Sequence, residues 1–461
     1  MRVSKWTLGL SLGAVMIAAT ALVSSSLAAS EAREVRVAIM SDCKGAFGAN
    51  YENDIGGAQA AFAQYAGGKP TDKNKPSAGM TGIKVGGTPV KIVGYGCGDD
   101  TAPTAIKETR RLMEGLKADV MVGPLSGDEA VAVANYAKGK PTKTFIIGTA
   151  GSQDPTMQIA PKNMFRYHGD GAQWNAGLGE IVYKKLGWRN AAIIMDDYSF
   201  AWTSGAGIIT DFCGIGGKIT KRVFPPLNTT DYASYVQQLP KPNQVDGYFW
   251  VVGGTGTGVS LKAMEQANGK IPAKQLSGNL FLYDGSAGTE VAPLYVGSYV
   301  GGFGSAIGLK SAQAKRYEAT VAKWYPKQGP AAVSGFVYNY FNAAWALVQG
   351  LQKSAGVVGA KLQAAMPRTL ASGYQTSNNG RIKLDSRRQA IQDQYQMQLG
   401  AKGAPTVVGF VPNVDQTFSG VFGPNKPAPG RAFPPCVERK LSWQGKIRVV
   451  NNGVITNQVI K

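Results

Sequence analysis

Apolar runs of strand length alternate with helix-like stretches in the first part of the chain. The apolar runs are 35–40, 90–96, 118–125 and 143–150. The stretches between them, in which small or apolar residues recur at helical spacing, are 54–66, 101–116 and 126–138. Strands that alternate with helices pair in parallel and carry helices on both faces of their sheet. This pattern therefore predicts a doubly wound α/β unit.

The same alternation restarts near Arg166 and predicts a second unit of the same kind. Its strands are predicted at 191–197, 248–252 and 278–284, and its helices near 170–186, 199–213, 231–239 and 257–268. The glycine- and lysine-rich piece 67–89 is predicted to be an extended loop. The proline-rich stretch 412–435 is predicted to belong to a C-terminal extension that wraps the surface.

The first residues have the pattern of a secretory signal peptide. Arg2 and Lys5 precede an uncharged stretch rich in Leu, Ala, Val and Ile, and small residues follow at Ser26 and Ala28. A membrane anchor is disfavoured because the strongly apolar part, 8–23, is short for a bilayer and is interrupted by glycine and serine. We expect residues 1–28 to be a cleaved signal peptide and the mature protein to be periplasmic.

Four cysteines, Cys43, Cys97, Cys213 and Cys436, form an even set in an oxidising compartment, and four cysteines allow three connectivities. Cys43 and Cys97 each follow one of the first two strands of the first unit. Because such strands are neighbours, their following loops come close, and we predict a Cys43–Cys97 disulfide. Cys213 and Cys436 are left either to pair or to stay free.

Charge and composition exclude several classes of function. The formal charge of +20 falls to +18 without Arg2 and Lys5, but the basic residues form no block of the kind that tracks phosphates, so no nucleic-acid partner is expected. The single histidine, His168, excludes an HExxH zinc site, and no metal or other cofactor is predicted. The glycine-rich stretch 253–258 does not fit the dinucleotide-binding motif GxGxxG. Counted from Gly254, the last glycine of the motif is replaced by Val259.

The stretch "VGPLSGDEA" at 122–130 joins a predicted strand to a predicted helix. Ser126 with Glu129 three residues later has the pattern of a capping box. A cap does not explain Gly123 and Gly127, which keep side chains away from the start of the helix. Free amides and the positive end of the helix dipole suit a carboxylate there, although Asp128 and Glu129 oppose it. A second loop of small residues, 148–154, follows the neighbouring strand.

In order and spacing, these segments resemble the type I periplasmic solute-binding proteins of ABC importers, the branched-chain amino acid binding family. The segments that carry the resemblance are "VRVAIMSDCKGAFG", "VGPLSGDEAVAVA", "FIIGTAGSQDP" and "AAIIMDDYSFAW". The resemblance implies two doubly wound parallel-sheet lobes joined by three crossovers. It places lobe 1 at 34–155 and 304–375, lobe 2 at 156–303 and 376–411, and a C-terminal extension packed on the lobes at 412–461.

The resemblance also implies a ligand site in the cleft, in which Ser126 or Gly127 meets the ligand carboxylate. The residues expected there are Phe47, Ser126, Gly127, Asp128, Ala150, Gly151, Ser152, Phe200, Trp202, Gly254, Thr255, Tyr283 and Asp284. Where amino acid binders of the family carry an acid for the ligand ammonium, this chain has Leu280 and Phe281. Asp196, Asp197 or Asp284 could substitute; otherwise Phe200, Trp202 and Tyr283 favour an aromatic acid or an amide.

The function implied is capture of a small carboxylate- or amide-bearing ligand, amino acid-like or an aromatic acid, by hinge closure. The protein would be a monomer without catalytic activity that delivers this ligand to an inner-membrane ABC permease. The alternative is that the same binding fold serves as the ligand sensor of a chemoreceptor or sensor kinase. The sequence leaves the choice between these roles open.

Overall fold

The computed structural model describes residues 33–284, 288, 290–302, 309, 312–328, 334–370 and 382–461, with the side chains of 313 and 314 excepted. The expected signal peptide, 1–28, lies outside the described residues. No helix in the described part of the chain combines the length and apolar character needed to cross a membrane.

The first lobe is built on a mainly parallel sheet, as the alternating pattern predicts. Its strands are β1 (Val35–Asp42), β2 (Lys69–Pro70), β3 (Met80–Thr81), β4 (Lys84–Val85), β5 (Thr88–Gly98), β6 (Val120–Val122), β7 (Thr144–Ile146) and β8 (Met164–Phe165). The sheet order is β4-β5-β1-β6-β7-β8, with only β4 antiparallel to its neighbour. The short strands β2 and β3 pair with each other inside the predicted loop 67–89.

The second lobe has a larger, mixed sheet. Its strands are β9 (Asn190–Met195), β10 (Lys218–Val223), β11 (Gly247–Val251), β12 (Leu276–Gly278), β13 (Tyr299–Val300), β14 (Ile382–Leu384), β15 (Ala390–Leu399), β16 (Pro405–Val414), β17 (Arg448–Asn451) and β18 (Val454–Val459). The order is β10-β9-β11-β12-β13-β15-β16-β17-β18, and β14 also pairs with β15. The pairs among β9 to β13 are parallel, whereas those from β15 onward are antiparallel.

Helices cover both sheets. They are α1 (Tyr51–Ala66), α2 (Ala102–Arg110), α3 (Gly127–Lys138), α4 (Gly171–Trp174), α5 (Leu178–Lys185), α6 (Ser199–Gly214), α7 (Ala233–Val236), α8 (Gly256–Asn268), α9 (Ala312–Trp324), α10 (Gly335–Ser354) and α11 (Ala360–Ala365). The small residues of α1 have a packing reason: a Cβ on Gly57 would lie 2.3 Å from the Val337 carbonyl oxygen, so α10 packs directly on the backbone of α1.

The chain passes between the lobes three times, and the predicted fold class is confirmed. It leaves the first lobe between β8 and α4, returns between β13 and α9, and enters the second lobe again between α11 and β14. The exact lobe boundaries stay a prediction, and two of the predicted positions, 303–304 and 375–376, lie outside the described residues.

Three predicted elements differ from the structure. The strand predicted at 278–284 ends at Gly278, because the Asn279 side chain accepts a bond from the Phe281 amide (3.1 Å) and starts a tight turn, 280–282. The helix predicted near 170–186 is divided at Gly177, whose φ of +93° is left-handed. The helix predicted at 231–239 is only one turn, α7.

The C-terminal residues extend the second sheet rather than only lying on its surface. β16 runs to Val414, two residues past the predicted start of the extension, and β17 and β18 add the last strands. Between β16 and β17, Phe418 and Trp443 belong to one buried apolar cluster with residues of α4 to α6 such as Ala206. The extension therefore supplies part of the core of the second lobe.

Two disulfides are present. The predicted Cys43–Cys97 bridge joins the loops after β1 and β5, with a Cα–Cα distance of 5.1 Å. Cys213 and Cys436, whose state the sequence left open, also pair and tie the extension to α6. The described part of the chain has no free cysteine.

Candidate ligand-binding site

A cavity lies between the lobes, beyond the carboxyl ends of the strands of both sheets. We call it the interlobe cavity; it is narrow, with a volume of about 20 Å³. Its lining residues are Phe47, Leu125, Ser126, Gly127, Thr149, Gly151, Trp174, Tyr198, Phe200, Leu280, Phe281 and Phe336. This is the position at which open α/β sheets bind ligands.

The first lobe contributes mainly small residues from the loops after β6 and β7. Gly123 opens the first loop with a φ of +129°, and a Cβ there would lie 2.2 Å from the Met40 carbonyl oxygen, so glycine is required. Ser126 is the N-cap residue of α3, yet no side chain caps this helix. The first-turn amides of α3 therefore reach the cavity at Ser126 and Gly127 without a capping bond from Ser126, although Asp128 and Glu129 add negative charge to the same turn.

The capping box predicted from Ser126 and Glu129 is wrong. Glu129 Oε1 instead accepts from the Asp99 amide at 3.1 Å, and Ser126 makes no capping bond. The cause is a tertiary contact: the loop after β5 brings the Asp99 amide to Glu129, and the sequence around Glu129 gives no sign of it.

Aromatic rings form half of the cavity lining, and four of the six lie between β8 and β13 in the chain. These four are Trp174, Tyr198, Phe200 and Phe281. Phe281 stacks on Phe47 of the first lobe with ring centroids 5.5 Å apart and meets Phe200 edge-on at 5.3 Å. Trp174 lies 5.7 Å from Phe200. Because the rings touch one another across the cleft, the space between them is narrow and suits a flat group.

The starts of α3 and α6 meet across the cleft. A Cβ on Gly127 would lie 2.8 Å from Ser199 Oγ and 2.9 Å from the Phe200 amide nitrogen. A Cβ on Gly151 would lie 2.7 Å from the Phe200 ring. Glycine at these two positions therefore lets the start of α6 and the Phe200 ring approach the backbone of the first lobe.

Three carboxylates are buried behind the first-lobe wall: Asp42 at the end of β1, Asp100 after β5, and Glu129 in α3. Burial is the main cause that raises the pKa of Glu129 to about 7 and that of Asp100 to about 6. Burial and the neighbours Glu129 and Asp100 hold the pKa of Asp42 well above its usual range. In mildly acidic solution this group therefore retains protons.

Comparison with known proteins assigns the family. The sequence matches the model of the periplasmic binding protein family over residues 34–404. This chain belongs to the periplasmic binding protein family. No curated protein matches its sequence.

Solved structures share the fold of this periplasmic binding protein at low identity. A solute-binding protein of an ABC transporter from R. palustris, in complex with benzoate, is 20% identical with a TM-score of 0.70, over 83% of this chain and 98% of that one. A Rhodopseudomonas palustris solute-binding protein in complex with p-hydroxybenzoic acid is 18% identical, TM-score 0.69, with the same coverage. A leucine-binding protein from Thermotoga maritima is 15% identical, TM-score 0.65, over 82% and 99%.

Five of the residues predicted for the site line the interlobe cavity of this binding protein: Phe47, Ser126, Gly127, Gly151 and Phe200. The other eight lie outside its lining: Asp128, Ala150, Ser152, Trp202, Gly254, Thr255, Tyr283 and Asp284. A direct contact of any of the thirteen with a ligand stays a prediction.

Several of the eight residues outside the lining have structural partners. Ser152 Oγ donates to the Gly127 carbonyl (3.0 Å) and so ties the two small-residue loops together. Gly254, with a φ of +54°, lies against Ala46, where a Cβ would be 2.4 Å from the Ala46 carbonyl oxygen. Trp202 Nε1 donates to Asp197 at 3.1 Å.

Each of the three acids considered as partners for a ligand ammonium has a partner within the protein. Asp196 Oδ2 accepts from the Gly253 amide (2.8 Å), and Asp284 Oδ2 accepts from the Gly335 amide (2.7 Å) at the start of α10. Asp197 pairs with Arg431 of the C-terminal extension. Among the described residues, no aspartate or glutamate lines the cavity.

The lining residues not predicted from the sequence are Leu125, Thr149, Trp174, Tyr198, Leu280, Phe281 and Phe336. Leu280 and Phe281 stand out in the sequence only as replacements for an acid, and Tyr198 lies two residues before the predicted Phe200. Trp174 and Phe336 arrive from helices far apart in sequence. Only the fold brings them to the cleft, so no local pattern marks them.

A buried arginine fixes the cavity loop after β7. Arg166 Nη1 donates to the carbonyl oxygens of Ala150 (3.1 Å) and Ser152 (2.6 Å), and its Nη2 donates to Thr156 Oγ1 (2.7 Å). Its Nε donates to Gln389, which lies between β14 and β15, while Arg166 itself lies at the first crossing between the lobes, just after β8. Burial lowers the pKa of Arg166 to about 10, so it stays charged at neutral pH. The hinge region and the cavity loop therefore share one polar network.

Proposed function

We propose that this periplasmic binding protein captures one small, flat molecule bearing a carboxylate or amide between its lobes and passes it to an ABC importer. The observation that carries the proposal is the uneven wall of the interlobe cavity. Six of its twelve lining residues are aromatic, while the start of α3, which the Ser126 side chain does not cap, lies at one side. A ligand with a ring and a carboxylate would use both parts.

The two parts act by different forces. A ring that enters the cavity gains apolar burial and edge or stacking contacts with Phe47, Phe200 and Phe281. A carboxylate at Ser126 and Gly127 accepts from amides of the first turn of α3 and is attracted by the helix dipole. Together they would hold the ligand in one orientation.

An aromatic acid or amide fits this site better than an aliphatic amino acid. An amino acid would bring an ammonium group into a cavity whose described lining holds no carboxylate, and an unpaired buried charge is costly. Benzoate and p-hydroxybenzoic acid, bound by two structural neighbours, have the favoured chemistry.

We also infer where the protein acts, which partners it has, and that it does not alter its ligand. The protein would be exported with cleavage of residues 1–28, act in the periplasm as a monomer, bind no nucleic acid, and release its ligand unchanged to the inner-membrane permease. Membership of the family supports the extracytoplasmic location and the permease partner. N-terminal sequencing of the periplasmic fraction tests the export step.

A thermal-shift screen tests ligand capture. The panel should contain benzoate, hydroxybenzoates, benzamide, benzylamine, leucine and phenylalanine. At about 100 times the dissociation constant, a ligand that binds only the folded protein adds roughly 2.7 kcal/mol of stability. We expect the acids or the amide to raise the melting temperature and benzylamine to leave it unchanged. A rise in melting temperature with benzylamine, or with leucine and no other compound, would contradict the proposal. So would a chemical change in the ligand, detected by mass spectrometry.

A further inference from the structure

The start of α6 lacks a cap from its own lobe. Tyr198 occupies the N-cap position, and its side chain makes no capping bond. Nevertheless the first amide of the helix is satisfied: Ser199 N donates to Asp128 Oδ1 at 3.1 Å. Asp128 belongs to α3, so the helix of the second lobe is capped by a carboxylate of the first.

The surroundings make this bond dependent on closure. Gly127, the residue before Asp128, lies where a Cβ would touch Ser199 Oγ and the Phe200 amide, so the two helix starts are in contact. In this arrangement the positive ends of α3 and α6 face each other. Asp128 places a negative charge between them and so offsets their repulsion. Any opening of the cleft that separates α3 from α6 breaks the bond.

Two other roles for Asp128 explain less. As a ligand contact, it would have to line the interlobe cavity, and it does not. As a charge in the first turn of its own helix, it would favour α3 equally in open and closed forms. Neither role accounts for a bond to an amide of the opposite lobe.

We propose that Asp128 is a closure latch, a positioning residue that caps α6 across the cleft and favours the closed form without touching the ligand. The inference rests on the proposed function of capture by hinge closure. The latch forms whether or not ligand is present, so it sets the fraction of closed protein before binding, and thereby the apparent affinity for every ligand alike.

The test measures this fraction without ligand. Nitroxide labels on cysteines introduced by Lys107→Cys in α2 and Lys262→Cys in α8, both exposed positions, report the distance between the lobes by pulsed electron paramagnetic resonance. We expect Asp128→Ala to lower the ratio of closed to open protein about tenfold, the effect of losing one charge-assisted hydrogen bond. Asp128→Asn keeps an acceptor oxygen and should restore part of the closed population.

Asp231→Ala is the matched control. Asp231 Oδ1 accepts from the Ala233 amide at 2.9 Å, so it makes the same kind of bond at the start of α7, but inside the second lobe. It should leave the distance distribution unchanged. A purely structural role of Asp128 would lower the melting temperature without moving this distribution.

The proposal is overturned if Asp128→Ala has the wild-type distribution, or if the wild type shows no closed population without ligand. These results are independent of the ligand. If the thermal-shift screen finds no ligand but the variants shift the distribution as expected, the latch stands and the proposed function fails. If a ligand is found and the distribution does not change, the proposed function stands and the latch fails.

Discussion

The two lobes present different surfaces to the same cavity. The first lobe offers a surface in which small residues and helix-start amides, at Ser126, Gly127, Thr149 and Gly151, stand beside Phe47, Leu125 and Phe336. The second lobe forms a wall of rings opposite, Trp174, Tyr198, Phe200 and Phe281. The difference separates two tasks: a bare helix start suits an anionic or polar group, and rings suit a flat apolar one. The side-chain-poor stretch at 122–130 thus leaves room for both the ligand and the opposite lobe.

A side chain added at the start of α3 should have the largest effect on ligand binding. Gly127→Val places its side chain against Ser199 and Phe200, so the lobes should no longer close. We expect the variant to lose the whole ligand-induced stabilisation of roughly 2.7 kcal/mol. Because no left-handed φ is required at Gly127, its melting temperature without ligand should stay close to that of the wild type.

The control for this prediction is Gly258→Val in α8, where a Cβ would lie 3.8 Å from its nearest neighbour, a methyl group of Val291. It should keep the full ligand response. An unchanged response in Gly127→Val would show that the lobes need not meet at this point.

The carboxylates behind the first-lobe face give the second prediction. A pKa of Glu129 raised from 4.5 to about 7 means that the folded protein binds a proton more tightly than the unfolded chain. Stability from this group is therefore fully present below about pH 4.5 and is lost as the pH rises through 7. His168 acts in the opposite sense, because burial lowers its pKa to about 3 and its contribution is lost as the pH falls.

Glu129→Gln removes the titration of Glu129 together with its effect on the pKa of Asp42, while His168 is common to both proteins. Urea unfolding at pH 5 and pH 8 should show the wild type losing about 2 kcal/mol relative to the variant over this interval. A difference between the two proteins that is the same at both pH values would contradict the raised pKa.

Removing one ring from the wall of the second lobe should have the smallest effect on affinity, because several other rings would still contact the ligand. Phe281→Leu keeps most of the apolar volume and removes one ring, so affinity for an aromatic ligand should fall about tenfold or less. Phe249→Leu is the control: Phe249 is buried in the same lobe and packs on Trp188 and Phe212, away from the cavity. Equal loss in both variants, measured by calorimetry, would mean that ring contact with the ligand contributes nothing.

The sequence predicted the scaffold better than the site. Strands such as those at 35–40 and 90–96 could be predicted because the apolar pattern of a buried strand can be recognised within that segment alone. The hydrogen bond of Glu129 could not be predicted, because the amide from which it accepts, that of Asp99, belongs to another loop. Trp174 and Phe336 reach the cavity only after both lobes have formed, and Asp128 finds its partner only when they meet.

Small-angle X-ray scattering of the protein titrated with the ligand of largest thermal shift tests the central claim, that ligand is captured by closure of the two lobes. We expect the radius of gyration of the wild-type protein to fall on binding and that of Gly127→Val to stay constant. A wild-type radius of gyration that stays constant while calorimetry shows full occupancy would contradict capture by closure.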